Sequence, residues 1–236
     1  LPLDVTDNAA IKQVVEAVLT TENRIDLLIN NAGFGQFGPL MDIEETHLQQ
    51  QFATNVFAPI AMVQAVAPVM RSQSSGTIIN IGSVSGTVTT PFAGAYCASK
   101  AALHSLSEAL RMELAPFGIQ VITVQPGAIR SSFGQAAEKS VSDLLTPDSW
   151  YAPLQENIQA RTTLSQLNAT PAEAFATQLA CQLMQANPPN IIRLGKKSRW
   201  LPLLKHVLPT QLMDFLLKRK FGLLSLKDSR DSATDR

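Results

Sequence analysis

The chain alternates between two spacings of its apolar residues. From residue 7 to residue 20, apolar side chains recur at i, i+3, i+4 and i+7, the spacing of one face of an amphipathic helix. Further helices are predicted over residues 42–71, 94–115 and 171–186. Short runs that are apolar on both faces, typical of strands buried in a parallel sheet, lie between the helices: RIDLLIN, GTIINIGS, GIQVITVQPG and NIIRLG. This alternation predicts an α/β fold with a doubly wound parallel sheet.

Two features of the helix predicted over residues 42–71 go beyond its apolar spacing. Asp42 and Glu45 have the spacing of a capping box at the start of the helix. Pro59 lies four residues after Asn55, and proline has no backbone N–H. We therefore expect the Asn55 carbonyl to lose its partner within the helix and to bind water or a side chain instead.

Composition sets limits on size, charge and compartment. With 236 residues and 45% hydrophobic composition, the chain can bury the core of one large domain. Its 19 basic and 19 acidic residues cancel, so charge gives no indication of a nucleic-acid partner. Cys97 and Cys181 are too few for a disulfide framework and lack metal-ligand spacing, which favours a reducing compartment and no metal site. We find no secretory leader and no apolar run near the ~20 residues of a spanning helix, so the predicted location is cytoplasmic.

A tyrosine and a lysine stand four residues apart in the sequence YCASK. Residues at this spacing share one face of a helix, with Cβ atoms roughly 5–6 Å apart, so Tyr96 and Lys100 point the same way. A free phenol has a pKa of about 10, and a nearby ammonium lowers it, which makes tyrosine a usable proton donor. The alternative for so short a pattern is a surface tyrosine beside a solvated lysine.

The residues around this pair favour a functional site. Ser83 lies just past the GTIINIG strand, and the preceding strand ends in the sequence NNAG. The carboxyl ends of parallel strands meet at one edge of a sheet, where ligands bind in open α/β folds. We therefore expect Ser83 and the NNAG turn to lie at the same edge.

In these motifs the sequence resembles the short-chain dehydrogenase and reductase family. The resemblance covers about residues 1–195 and rests on six features: DVTD, NNAG, Asn55, Ser83, YCASK and PGAIRSS. Within the family, NNAGFGQFGPL and ALRMELAPFGI are similar to bacterial members resembling dehydrogenases of retinol and other lipophilic alcohols. The family implies a Rossmann-like fold and an NAD(P)-dependent oxidoreductase that interconverts an alcohol and a carbonyl.

The resemblance implies a catalytic tetrad. Tyr96 would exchange a proton with the substrate oxygen, and Ser83 would hold that oxygen by a hydrogen bond. Lys100 would lower the pKa of Tyr96 and bind the nicotinamide ribose, while Asn55 would position a water that links Lys100 to solvent. The hydride belongs to the nicotinamide, so the cofactor is NAD or NADP, with NADP favoured.

The resemblance also assigns positions that contact the cofactor. They fall into three groups: Asp4 and Val5 at the adenine; Asn31, Ala32 and Gly33 at the adenosine ribose; and Pro126, Gly127, Ile129 and Ser131 around the nicotinamide, beside Tyr96 and Lys100. Ser131 stands where the family usually has threonine, which keeps the hydroxyl and removes a methyl group.

Residues 33–38, GFGQFG, match the G-x-G-x-x-G pattern of a dinucleotide fingerprint. That fingerprint opens directly into a helix whose N-terminal amides face the pyrophosphate, whereas here Pro39 intervenes and the helix is predicted to begin near Asp42. No acidic residue at a strand end follows about twenty residues later. We interpret GFGQFG as a loop at the substrate edge.

The family's own glycine loop, T-G-x-x-x-G-x-G, precedes the equivalent of LPLDV and is not found in this sequence. In the family sheet order 3-2-1-4-5-6-7, the chain would begin at the end of the third strand and lack strands one and two. DLLIN would then form an open edge. We expect either a piece of a longer enzyme or a truncated product, and favour the first. This chain alone is expected to bind NADH or NADPH poorly.

Residues 128–170 lack a regular spacing and carry six large apolar side chains: Phe133, Leu144, Leu145, Trp150, Tyr151 and Leu154. In the family this region forms the substrate lid. The resemblance therefore implies a lipophilic carbonyl or alcohol as substrate, contacted by Ser83, Phe133 and Trp150. The alternative is an ordinary satellite of the hydrophobic core.

Residues 196–236 are predicted to form an amphipathic, basic tail beyond a dehydrogenase domain of residues 1–195. From Arg193 to Lys227 there are nine Lys or Arg residues against one acid, Asp214. Such a segment can lie in a membrane interface, where cations meet anionic lipid. Alternatively, it packs over the substrate cleft or a neighbouring subunit.

Assembly and activity each leave an alternative open. Family members commonly pair through two long helices, here residues 42–71 and 95–115, so the resemblance implies a homo-oligomer. The rival function is a non-catalytic binding or scaffold protein that keeps a truncated dehydrogenase fold. An epimerase-type relative is a weaker rival, because those proteins usually carry a larger C-terminal domain than the stretch after residue 127 supplies.

Overall fold

A parallel sheet of four strands forms the centre of the protein. The computed structural model describes residues 1–134, 137, 141 and 146–226. Within these residues the strands follow the chain order across the sheet: β1 (Leu27–Asn30), β2 (Gly76–Ile81), β3 (Ile119–Pro126) and β4 (Ile191–Leu194). The predicted α/β fold with a doubly wound parallel sheet is confirmed.

Helices connect the strands and cover both faces of the sheet. They are α1 (Asn8–Glu22), α2 (Glu45–Phe52), α3 (Ala58–Gln73), α4 (Gly94–Leu114), α5 (Gln155–Thr163), α6 (Ala172–Leu183), α7 (Trp200–Val207) and α8 (Thr210–Lys220). The first of them is capped by Asp7, whose carboxylate accepts from the amides of Ala9 and Ala10. It ends at Asn23, which adopts the left-handed conformation common after a helix.

Two hydrophobic layers hold the helices to the sheet. On one face, Val63 and Met70 of α3 pack with Ile78 of β2. On the other face, Ile79 of β2 stands opposite Ile122 of β3 and packs against α6. All five side chains are buried. Successive residues of β2 therefore face two different cores, as a doubly wound sheet requires.

The helix predicted over residues 42–71 begins later than the sequence indicates. The N-cap is Glu44, which makes no side-chain capping bond, so the capping box predicted at Asp42 and Glu45 is wrong. Asp42 instead accepts a hydrogen bond of 2.6 Å from the hydroxyl of Ser149. A long-range partner has therefore replaced the local capping contact.

The same helix contains a π-turn over Ala53–Phe57, between α2 and α3. The amide of Ala58 bonds to the carbonyl of Ala53, five residues earlier, just before Pro59. This wider turn shifts the hydrogen-bond register where proline cannot donate, and π-turns of this kind recur at functional sites. The turn places Asn55 at zero exposure inside the protein.

By length and composition alone, the helical stretch Glu45–Gln73 could cross a membrane, contrary to our expectation that no such stretch exists. In this fold it packs on the sheet through Val63, Val66 and Met70. Burial against the sheet therefore accounts for part of its apolar character, since 33% of the apolar window is buried.

The first residues and the first strand differ in structure. The segment LPLDV forms no strand; it leads into a turn in which the Asp4 carbonyl accepts from the amide of Asp7. Strand β1 lies at one end of the sheet, and Leu27 and Ile29 are about half exposed there, at 48% and 47%. This edge adjoins the side of the fold where the nucleotide positions were predicted.

Candidate active site

Three segments bring the four predicted catalytic residues to the carboxyl edge of the sheet. Strand β2 ends just before Ser83, and the first turns of α4 carry Tyr96 and Lys100. The π-turn supplies Asn55. All four side chains are buried, with Tyr96 8% exposed and Lys100 5% exposed. Their burial therefore excludes the alternative of a surface tyrosine beside a solvated lysine.

Tyr96 lies between a serine and two phenylalanine rings. The side chain of Ser83 lies near its phenol. The ring of Phe37 stacks on it at 5.8 Å between centroids, and the ring of Phe133 lies at 5.2 Å. Burial raises the pKa of Tyr96 to about 12, although the nearby Ser83 side chain works in the opposite direction. The phenol is therefore protonated at neutral pH.

The expectation that Lys100 lowers the pKa of Tyr96 is wrong for this structure. The Lys100 ammonium donates to the carbonyl of Ile81 at 2.7 Å, and burial lowers its own pKa to about 8. The cation that favours ionisation of Tyr96 is Arg161, and desolvation of the phenol exceeds its effect. Helical spacing gave the correct positions of the pair but not the burial that governs their proton affinities.

The side chain of Asn55 ties the loop after β1 to helix α4. Its Oδ1 atom accepts from the amide of Phe34 at 3.2 Å, and its Nδ2 donates to the Phe34 carbonyl at 2.9 Å. The same Nδ2 donates to Ser99 Oγ at 3.1 Å, and Ser99 in turn donates to the Tyr96 carbonyl. Asn55 thereby fixes the loop relative to the helix that carries Tyr96.

Gly33 allows the backbone of this loop to approach the side chains of Asn55 and Lys100 closely. A Cβ atom at this position would lie 3.0 Å from Asn55 Oδ1 and 3.6 Å from Lys100 Nζ. Any other residue would crowd Asn55 and narrow the access to Lys100. A glycine where a backbone passes beside a cation is the arrangement expected where a ligand binds.

A depression of about 130 Å³ lies beside this loop and above the edge strand. Three of the residues predicted to contact adenosine line it, namely Val5, Asn31 and Ala32, together with Ile29 of β1. Asp4 is exposed nearby, and its carboxylate accepts from the amide and hydroxyl of Thr6. The apolar and amide groups of the depression fit the adenosine end of a dinucleotide.

The segment after β3 holds the positions predicted for the nicotinamide end. The amide of Gly127, after Pro126, donates to the Leu194 carbonyl, and a Cβ atom there would overlap the carbonyl of Lys196. Ile129 forms a β-bridge with Thr170. The Thr170 amide donates to the carbonyl of Ala128, and the Thr170 carbonyl accepts from the amide of Arg130, so both hydrogen bonds use the neighbours of Ile129. This leaves the Ile129 backbone outside the bridge's own hydrogen bonds, consistent with the predicted contact to a ligand.

The loop continues to Ser131, which stands in place of the family threonine. The Ser131 amide donates to Gln166 Oε1 at 3.1 Å, and its hydroxyl accepts from the amide of Phe133. These bonds hold the chain as it turns toward Tyr96. Ser131 thus precedes directly the aromatic side chain that covers the phenol.

The predicted substrate residues are divided by the structure. Phe133 packs against Tyr96 and Phe37, as a cleft residue would. Trp150, in contrast, is 69% exposed and does not belong to the apolar cluster around Tyr96, so its prediction as a substrate contact is not supported by its position. Its neighbour Tyr151 packs against the cluster instead, through the ring of Phe92. Leu144 and Leu145 lie outside the described residues.

The GFGQFG segment forms a loop and does not open into a helix. The next helix, α2, begins at Glu45. Phe37 of this loop stacks on Tyr96, and a Cβ atom on Gly35 would meet the rings of Phe37 and Phe133. The loop therefore lines the apolar side of the cleft, in agreement with its interpretation as a substrate-edge loop.

His104 is a residue of the site that the sequence analysis missed. Its Nε2 atom accepts from the amide of Ser83 at 3.3 Å, and burial, Lys100 and Arg193 lower its pKa to about 4. It is therefore a neutral ring that supports Ser83 from behind. The sequence holds a signal for it, because His104 follows Lys100 by one helical turn.

Arg161 is the second residue that the sequence analysis missed. Its guanidinium is 7% exposed and lies over the ring of Phe37, with 5.0 Å from Cζ to the ring centroid. It belongs to helix α5, far along the chain from every motif, so no spacing links it to Tyr96.

For metals, the described ranges contain no group of three or more His, Cys, Asp or Glu side chains able to hold an ion.

The comparisons with known proteins agree with this geometry. The family described as short chain dehydrogenase matches residues 1–142. A protein named 3-ketodihydrosphingosine reductase, from Bacteroides thetaiotaomicron, is 33% identical over 86% of this chain and 77% of its own. A crystal structure of a short-chain dehydrogenase from Streptomyces avermitilis aligns with a TM-score of 0.72, at 31% identity, over 95% of this chain and 78% of its own. A metagenomic short-chain oxidoreductase in complex with NADP aligns with a TM-score of 0.52, at 32% identity, over 63% and 69%.

Proposed function

Because the chain belongs to the short-chain dehydrogenase/reductase family and is an NAD(P)-dependent oxidoreductase, we propose that Tyr96 and Ser83 act on the oxygen of a lipophilic carbonyl or alcohol. The observation that carries this proposal is the buried position of the Tyr96 phenol near Ser83 at the carboxyl edge of the sheet. Lys100 and Asn55 lie beside them. The family activity supports an enzyme over the scaffold alternative.

In the direction of reduction, the Tyr96 phenol donates its proton to the substrate oxygen while Ser83 holds that oxygen by a hydrogen bond. The nicotinamide cofactor, when bound, supplies the hydride. The high pKa of Tyr96, about 12, keeps the proton on the phenol at neutral pH, so this geometry favours the donor role.

Lys100 and Asn55 support the reaction in different ways. The Lys100 ammonium, buried beside Gly33, would hold the ribose hydroxyls next to the nicotinamide. Asn55 fixes the loop of Phe34 against α4 and so positions Gly33 and Tyr96 relative to each other. In this proposal Asn55 is a positioning residue, and its water relay to Lys100 stays a prediction.

We favour NADP over NAD as the cofactor. The metagenomic neighbour in complex with NADP supports this choice. The proposed contacts lie in the adenosine depression with Val5, Asn31 and Ala32, and at the segment of Gly127 and Ile129. A comparison of the binding constants of NADPH and NADH tests the preference, and a tighter fit to NADH would contradict it.

A lipophilic substrate is supported by the side chains next to the phenol. Tyr96 shares one hydrophobic cluster with Phe37, Phe92, Leu154 and Phe221. The name of the Bacteroides relative is that of a ketone reductase, which agrees with a carbonyl substrate. Each buried methylene of such a substrate would add about 0.8 kcal/mol to binding.

Reduction of decanal tests this function most simply. The full-length protein is expected to oxidise NADPH in the presence of decanal, with kcat/KM at least ~10-fold higher than for propanal because of the longer apolar chain. Equal rates for the two aldehydes would contradict the lipophilic substrate. No oxidation of NADPH or NADH with either aldehyde would contradict the proposed function itself.

We also propose that helices α7 and α8 contact an anionic membrane surface. Trp200 and Val207 of α7 are exposed, as is Phe215 of α8, and Lys218 and Arg219 stand beside them. Apolar groups that enter the headgroup boundary, flanked by cations, suit anionic lipid. The protein should sediment with vesicles rich in phosphatidylserine at low salt, and a smaller fraction should sediment at high salt. Absence from the pellet at both salt concentrations would contradict the contact.

A homo-oligomer and a cytoplasmic location stay predictions. On α4, Leu106 and Met112 are exposed at 37% and 59%, which is consistent with pairing through this helix. Leu110 of the same helix packs partly against the core of its own protomer. Ala101 and Ala102 lie near the surface of the helix.

A further inference from the structure

Arg161 is a buried cation whose charge no described side chain balances. Its Nε and Nη2 groups both donate to one neutral acceptor, the hydroxyl of Thr90, at 3.1 and 2.9 Å. The ion pairs of the described residues lie elsewhere, between Arg24 and Asp26 and between Glu108 and Arg111. A buried charge without a partner costs several kcal/mol, so an arginine in this position needs a reason.

A second cation lies close to the first. Lys220 stands over the ring of Phe221, with 5.7 Å from Nζ to the centroid, and Arg161 Cζ lies 5.9 Å from the same ring. Burial lowers the pKa of Lys220, and the positive charges of Lys197 and Arg161 lower it further. Two cations that share one aromatic ring repel each other unless an anion lies between or beside them.

The guanidinium is one aromatic ring away from the reactive phenol. Phe37 contacts both groups: its ring lies 5.0 Å from Arg161 Cζ and 5.8 Å from the ring of Tyr96. The remaining surroundings are apolar, because Phe92, Phe221 and Leu154 belong to the same cluster. A ligand that reaches from Tyr96 to Arg161 would therefore have an apolar body and an anionic end.

We propose that Arg161 binds a carboxylate of the substrate, and that the substrate is an oxo acid or hydroxy acid with an apolar chain. This inference rests on the proposed function, since it places the carbonyl at Tyr96 and the carboxylate at Arg161. A guanidinium has five N–H donors in a planar fork, and Thr90 accepts from only two of its groups. The donors that remain match the two oxygens of a carboxylate.

Binding of decanoate to the full-length protein, measured by calorimetry without nicotinamide nucleotide, tests this role. Decanoate is expected to bind at least ~10-fold more tightly than decanol, because only the acid engages the guanidinium. Arg161→Gln should weaken decanoate binding by roughly 10- to 100-fold and change decanol binding by less than about 3-fold. Arg161→Lys keeps the charge without the fork and should give an intermediate loss.

Arg71→Gln is the matched control, because Arg71 also stands over a phenylalanine ring, Phe117 at 5.0 Å, but outside the cluster around Tyr96. It should bind decanoate as the unmodified protein does. Decanoate and decanol binding with equal affinity to the unmodified protein overturns the proposal. So does an Arg161→Gln variant that retains decanoate binding, or one that loses both ligands equally, which would indicate a purely structural role.

Thermal unfolding of each variant shows whether it is folded. If Arg161→Gln does not fold, the comparison of Arg161→Lys with the unmodified protein decides: unchanged decanoate affinity overturns the proposal. Failure of the proposed function has a different signature, namely absence of decanal reduction with either nucleotide while decanoate binding still depends on Arg161. Failure of this inference alone leaves decanal reduction intact and removes the preference for the acid.

Discussion

Replacing Tyr96 with phenylalanine is expected to lower kcat for decanal reduction by roughly 10²- to 10⁴-fold, the range that a positioned proton donor contributes. The phenol lies near Ser83 and is the group proposed to protonate the substrate oxygen. Phenylalanine keeps the ring contacts with Phe37 and Phe133 but has no proton to give. Steady-state kinetics with NADPH measure the change, and KM should move little because the apolar surface remains.

The matching control is stability, because Tyr96 also belongs to the core. The variant loses at most one hydrogen bond, which is worth about 1 kcal/mol, so it should remain folded and unfold at nearly the same temperature. Ser83→Ala should lower kcat in the same direction through loss of the bond to the substrate oxygen. A Tyr96→Phe enzyme with activity within about 3-fold of the unmodified protein would remove Tyr96 from the chemistry.

Replacing Lys100 with methionine is expected to weaken NADPH binding by roughly 10- to 100-fold, the loss of one or two bonds to a charged donor. The ammonium is buried, and a Cβ atom on Gly33 would lie 3.6 Å from it. Methionine fills similar space without charge, so binding is tested apart from packing. Fluorescence titration with NADPH measures it, and unchanged affinity would contradict the role.

The same variant has an effect on stability that depends on pH. Burial lowers the pKa of Lys100 from 10.5 to about 8, so between these values the unfolded chain binds more protons than the folded protein. The free energy of unfolding of the unmodified protein should therefore rise from pH 8 toward pH 10, by up to about 3 kcal/mol. Above pH 10 the raised pKa of Tyr96 lowers the free energy of unfolding as the pH rises, because the unfolded chain loses the phenol proton first.

Chemical denaturation at pH 7 and pH 10 measures this difference. In Lys100→Met the rise should be smaller by the contribution of Lys100, whereas the exposed Lys218→Met should match the unmodified protein. An equal rise in all three proteins would show that folding does not lower the pKa of Lys100.

The sequence predicts the sheet and the helices well because their signals are local. Two-sided apolar runs such as that of β2 indicate buried parallel strands, and the structure places Ile78 and Ile79 in opposite cores. Tyr96 and Lys100 come together because four residues make about one helical turn. Ser83 meets them because β2 and α4 are joined at the carboxyl edge of the sheet.

The errors concern interactions between residues far apart in the chain. Asp42 does not cap α2 because Ser149 donates to it from a segment about a hundred residues away. Trp150 is exposed while Tyr151 is packed, and adjacent apolar residues in an irregular segment give no periodicity that distinguishes them. Arg161 reaches Phe37 only through the tertiary fold, so no motif indicates it.

The pKa values of the site could not be predicted from spacing for a related reason. Proximity of Lys100 to Tyr96 indicates attraction between an ammonium and a phenolate, but burial penalises both charged forms. The folded environment raises the pKa of Tyr96 and lowers that of Lys100, so each group moves toward its neutral form. Only the fold shows how completely Phe37 and Phe133 enclose the phenol.

A crystal structure of the full-length protein with NADP and a ketone analogue of decanal tests the central claim most directly. The ketone oxygen is predicted to lie within about 2.6–3.2 Å of both the Tyr96 hydroxyl and Ser83 Oγ. A ketone oxygen bonded to neither group, with Tyr96 still enclosed by Phe37 and Phe133, would contradict the claim that this phenol delivers the proton.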